Sequence, residues 1–157
     1  MDIAINASPL ILLSKIDRLV LLNILFSKIY VPLAVLREIQ DIDTTELKVD
    51  FSVISYVPLD VSNRVAVEGL LGKLHMGEVE VIIGALENGL KTVVLDESAA
   101  RNKAKKMGLE VTGTLGILLK SKKLGVIEDI GSEITNLRKA GMYLSDELVT
   151  QVLELAD

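Results

Sequence analysis

Short aliphatic runs, each stopped by a polar or glycine-containing turn, constrain this chain more than any other feature. "IAIN" at 3–6, "KTVVLD" at 91–96 and "LEVTG" at 109–113 are too short for helices and carry β-branched residues. Their apolar positions are consecutive and not alternating, which fits strands covered on both faces, as in a parallel sheet. Helix-patterned segments separate them. The spacing predicts a helix over 9–16 opened by Ser8-Pro9, a second apolar segment over 18–26, and a brief extended "KIYVP". It then predicts a helix from Pro32 through "PLAVLREIQ" and a polar, loop-like stretch with a helical turn over 41–50. "SVISYVPL" at 52–59 reads as a strand. Helical spacing returns over 61–74 and over Gly77–Gly89, where glycine is the usual terminator. "ESAARNKAKKMG" is a helix closed by Gly108, Thr114 caps "LGILLKSKKLG", and two last helices fall near 128–140 and 145–156. Strands alternating with helices imply a parallel sheet with right-handed crossovers, hence a three-layer α/β domain.

A chain of 157 residues fits one domain, 1–157, with the helices of about 128–157 packing on it or standing at an interface. Half of the residues are hydrophobic, yet the greasiest stretch is broken by Asn23, Lys28 and Pro32, short of a membrane span. Asp2 and the lack of a basic leader segment argue against a secretory signal. With no cysteine there is no disulfide framework, thiolate zinc site or cysteine nucleophile, which agrees with a reducing cytoplasm. The net charge of −5 is unevenly spread. Lys91–Lys123 holds eight bases against three acids, a local +5, so the remainder carries −10. That asymmetry allows a basic face beside an acidic pocket, and it equally describes two solvated helix surfaces.

Ligand sites in such sheets lie outside the carboxyl ends of the strands. Asn6 and Asp96 stand at two of those ends, and Glu38 and Glu78 are placed to join them. Each has a plainer reading as well: Glu78 suits the positive end of a helix dipole, and Asp96 suits a helix cap. Glu80, two residues beyond Glu78, points to roughly the opposite side, and Glu97 suits the start of the next helix. Converging carboxylates need a counter-charge, and Mg2+ or Mn2+ suits oxygen ligands. The one histidine, His75, reads as a surface or capping residue, and "TGTLG" as a strand-to-helix turn whose Thr112 and Thr114 hydroxyls aim at the same sheet edge.

Five blocks in order, "NASPLILLSKI" (6–16), "YVPLAVLREI" (30–39), "GEVEVIIGALENG" (77–89), "VVLDESAARNKAKKMGLEVTGTLGILLKSKKLGVI" (93–127) and "LRKAGMYLSDELVTQVLELA" (137–156), resemble the PIN-domain nucleases, in the branch similar to VapC-type toxins of toxin–antitoxin pairs. The resemblance implies a three-layer α/β/α fold with a central parallel sheet. It implies an endoribonuclease whose acids bind Mg2+ or Mn2+, with RNA as substrate, a small antitoxin as partner and a homodimer as assembly. The family's acids fall on Asn6, Glu38, Glu78 and Asp96, with Ser8, Thr112 and Thr114 in support. Arg101, Lys105 and Lys120 are the bases placed to hold the RNA backbone. The departure is Asn6, an amide where the family has an acid. It coordinates through oxygen but supplies no charge, which raises a rival reading: a PIN-like module that binds RNA or protein with weak or no catalysis.

Overall fold

A computed structural model describes residues 1–42 and 48–157, so the middle of the polar stretch over 41–50 lies outside the described residues. Five strands, β1 (Ile3–Ile5), β2 (Ile29–Pro32), β3 (Val57–Leu59), β4 (Thr92–Val94) and β5 (Glu110–Thr112), form one parallel sheet in the order β3-β2-β1-β4-β5. Ile3, Ala4 and Ile5 of the central strand are wholly buried, as their unbroken apolar run requires. The result is the three-layer α/β/α architecture that the sequence predicts.

Nine α-helices cover the sheet among the described residues. They are α1 (Ala7–Lys15), α2 (Leu21–Leu25), α3 (Leu33–Ile42), α4 (Arg64–Leu70), α5 (Met76–Glu87), α6 (Ser98–Lys106), α7 (Thr114–Lys123), α8 (Ile130–Lys139) and α9 (Asp146–Ala156). Helix α5 packs on β1, β2 and β4 and gathers α3, α4 and α6 around it. Helix α7 meets β5, α1 and α2, and carries α8 and α9. Ile130, Ile134 and Leu137 of α8 and Val152 of α9 enter the hydrophobic core, whereas Leu148 and Leu153 stay partly exposed. None of the described helices is long and apolar enough to cross a membrane.

Several boundaries differ from the sequence reading, each for a local reason. Helix α1 starts at Ala7, with Asn6 as the extended residue before it, because the Ser8 hydroxyl donates to Asp96 instead of capping the helix. The strand expected over 52–59 shrinks to β3. Asp50 accepts from the Ser52 amide and hydroxyl and folds Phe51–Val53 into a 3-10 turn. The helical stretch over 61–74 is confined to α4, opened by Asn63 accepting the Ala66 amide at 3.1 Å, and the chain turns at Gly72 with φ +120°. Thr114 is the first residue of α7, not its cap, which is Gly113.

The chain steps outward from β1 to β2 and β3, then returns to pair β4 on the other side of β1. A parallel sheet opens a crevice where its strand order reverses in this way, at the carboxyl ends of β1 and β4.

Candidate functional site

Asn6 extends β1 into that crevice. Its N–H donates to the Val94 carbonyl at 3.1 Å, so the strand pairing holds the residue in place. The side chain is buried, and Oδ1 has no hydrogen-bond partner. Across the strand boundary, Asp96 is the most constrained acid. Its Oδ1 accepts the Thr114 amide at 2.8 Å, and its Oδ2 accepts the Thr114 hydroxyl at 2.7 Å and the Ser8 hydroxyl at 3.1 Å.

Glu78 sits in the first turn of α5, where the helix dipole favours negative charge. Its Oε1 accepts the His75 amide at 3.0 Å, whereas Oε2 is buried and unpartnered. Gly77 lets α5 approach the other residues: a Cβ there would lie 3.1 Å from Asn6 Oδ1 and 3.2 Å from Glu38 Oε2. Glu38, on α3, stands at the exposed rim. Partial loss of hydration lifts its carboxyl above the usual carboxylate range; His75 pulls it down and the Glu78 charge pushes it up again.

Asn6, Glu38, Glu78 and Asp96 thus line one cleft of about 580 Å³, together with Ser8, His75 and Glu97. They do not form a closed cage. Among the described residues, no three His, Asp or Glu side chains stand close enough together to hold a metal ion by themselves. Asp96 is turned toward Thr114 and Ser8. What remains is two buried oxygens without partners, Asn6 Oδ1 and Glu78 Oε2, beside the Glu38 carboxylate. An unsatisfied buried oxygen costs about 1–3 kcal/mol, and a hard cation is the kind of partner that such oxygens lack. Mg2+ commonly takes only one or two carboxylates and keeps several waters, so this donor set fits such an ion.

The supporting residues divide. Thr114 is fully buried and holds Asp96, as expected. Thr112 faces elsewhere: its side chain presses on Gly116 and lines a separate cavity of about 180 Å³ with Lys120 and Phe26. Arg101 is committed to the backbone, its Nη1 donating to the Leu95 carbonyl at 2.8 Å. Lys105 and Lys120 do not border the cleft. Helices α6 and α7 begin at the crevice and run back along the sheet, so their last turns, with Lys103, Lys105 and Lys106 and with Lys120, Lys122 and Lys123, stand at the opposite end. Lys120 rests over the Phe26 ring, 5.5 Å from its centroid.

Among the further residues that border the cleft, Glu97, Lys15 and Met142 bear on its chemistry. Glu97 reads as a helix-start acid and does precede α6, but it also lines the cleft. Lys15 and Met142 form part of the far wall. Lys15 could have been found, since Ser8, Leu12 and Lys15 recur at helical spacing on one face of α1. Met142 carries no such signal, because it arrives on the turn after α8.

The chain is a parallel α/β/α domain with Asn6, Glu38, Glu78 and Asp96 lining a cleft at the switch point of its sheet. A family model described as "PIN domain" matches residues 2–157, and the chain belongs to the PIN-domain family. PIN domains are generally nucleases and generally use divalent metals. The chain matches none of the curated proteins.

Proposed function

We propose that this protein is a Mg2+- or Mn2+-dependent endoribonuclease, a single PIN-like domain throughout its length. The observation that carries this reading is the pair of buried, unpartnered oxygens, Asn6 Oδ1 and Glu78 Oε2, in the same cleft as Glu38 and Asp96. Glu78, Glu38 and Asn6 would hold the ion, and Asp96, braced by Thr114 and Ser8, would orient its water shell. When bound, the ion neutralises charge on a phosphodiester oxygen and sharpens a water nucleophile. Glu38 stands where the cleft opens to solvent and the RNA backbone would enter. The neutral amide at Asn6 lowers the charge offered to the ion, so one ion is held and a second is disfavoured.

The test is Glu78→Gln, which keeps an oxygen for the His75 amide but removes the charge. Cleavage of a labelled RNA should be lost while the circular dichroism spectrum and melting temperature are kept, and excess chelator should abolish wild-type cleavage. Full cleavage under either condition overturns the proposal.

A second reading is favoured by one observation, the absence of any three-acid cluster among the described residues. It makes the chain a PIN-like module that binds RNA or protein without cutting. Calorimetry separates the two, since only the nuclease reading requires saturable Mn2+ binding.

The resemblance to VapC-type toxins adds a cytoplasmic role with a small antitoxin and a second copy of the chain as partners. The exposed Leu148, Leu153 and Leu155 on α9 support a protein contact there.

A further inference from the structure

The wall of the cleft opposite the acids has a different chemistry. Ile11, Leu12 and Lys15 on α1 face it from one side, and Met142 from the turn after α8. Lys15 is the one lysine or arginine lining the cleft among the described residues. Its Nζ donates to the Ala140 carbonyl at 3.1 Å, which ties α1 to that turn. Gly141, at φ +105°, lets the chain reverse so that Met142 meets the cleft. Tyr143 follows directly and is 89% exposed. The chain has five aromatic side chains, and the other four are buried or half-buried, so this ring stands in water where burial would have been the favoured outcome.

From this geometry we infer that the α8–α9 turn and Lys15 form a nucleotide subsite, with one unpaired nucleotide entering the cleft. Its base lies on the aliphatic wall of Ile11, Leu12 and Met142, the neighbouring base stacks on Tyr143, and Lys15 takes a backbone phosphate. The inference rests on the nuclease reading of the same cleft and assigns the polyanion contact to Lys15, because the lysines of α6 and α7 stand at the far end of the sheet. An aromatic ring stacks on any base and needs that base unpaired, so the subsite selects single strands without selecting sequence.

The experiment measures binding of a fluorescently labelled single-stranded RNA oligonucleotide to the full chain by anisotropy in EDTA, where cleavage is off. Wild type should bind saturably. Tyr143→Ala should weaken binding about tenfold, the order of one lost base–aromatic stack, and Tyr143→Phe should not. Lys15→Gln should weaken binding and reduce the slope of log affinity against log salt by about 0.7, whereas Lys15→Arg should keep both. A duplex of the same sequence should bind more weakly and ignore Tyr143→Ala. The inference is overturned if wild type does not bind, if Tyr143→Ala or Lys15→Gln binds as wild type does, or if the duplex binds equally well. Its failure is separable from that of the nuclease reading: Glu78→Gln tests cleavage alone, and these variants test binding with the ion removed.

Discussion

Glu80 Oε1 accepts the Ala34 amide at 3.0 Å, so a carboxylate on α5 caps the start of α3. Its other oxygen lies 2.8 Å from Arg64 Nη1 on α4. Glu80 is 2% exposed, and its two bonds set the position of the helix that carries Glu38 against the helix that carries Glu78. Glu80→Ala leaves a buried N–H unpaired, which costs about 2 kcal/mol. For a chain of this length that lowers the melting temperature by roughly 6 °C. Glu80→Gln, which still accepts from Ala34, should lose less. Thermal melts of the two variants check this.

Gly77 separates stability from activity. A methyl group there meets Asn6 Oδ1 at 3.1 Å and Glu38 Oε2 at 3.2 Å, contacts tighter than side chains ordinarily make. The exposed Glu38 carboxylate gives way more easily than the strand end that holds Asn6. Alanine is also a better helix former than glycine, by up to about 1 kcal/mol. Gly77→Ala should therefore leave the melting temperature within a few degrees of wild type while RNA cleavage falls about tenfold. The expected shift in activity comes from a displaced carboxylate, an effect of the size that small misplacements in a catalytic site produce.

Asn6→Asp puts a charge where β1 delivers an amide. Without metal the variant should melt below wild type, because a buried carboxylate joins Glu38 and Glu78. With Mn2+ the order should reverse. One added unit charge beside an ion is worth several kcal/mol at an effective dielectric near 20, before desolvation is subtracted, so a gain of about tenfold or more in Mn2+ affinity is expected. Calorimetry and melts with and without Mn2+ measure both effects. Equal Mn2+ affinity in the two proteins would show that residue 6 takes no part in holding the ion.

Lys120 is the control for the basic region. It lies over Phe26 at the end of the sheet away from the cleft. Lys120→Glu should cost about 0.5–1 kcal/mol through the lost cation–π contact and leave the cleavage rate within about twofold of wild type. A large loss of cleavage would return the far end of α7 to the RNA path.

The sheet and its helices were legible in the sequence because burial on both faces writes itself as unbroken aliphatic runs, and glycines mark where helices stop. Asn6 and Asp96 were legible for the same reason: each follows a recognisable strand within two residues. Glu38 and Glu78 were legible only as helix acids that could reach the same edge; that they do depends on how closely α3 and α5 pack, which the bare backbone of Gly77 and the Glu80–Ala34 bond decide. The bases misled. Lys105 is close to Asp96 in sequence, but α6 is nine residues long, which carries its last turn about 13 Å along the sheet.

The sequence by itself therefore determined the layers, the parallel strands and the two polar residues at the strand ends, all of which follow from local periodicity. Only the tertiary structure decided that Asp96 is held by Thr114 and Ser8, that Asn6 and Glu78 keep buried oxygens free, and that Met142 reaches the cleft while Lys120 does not. Those outcomes depend on helix direction and on close approach between segments distant in the chain, and no local pattern of residues encodes either.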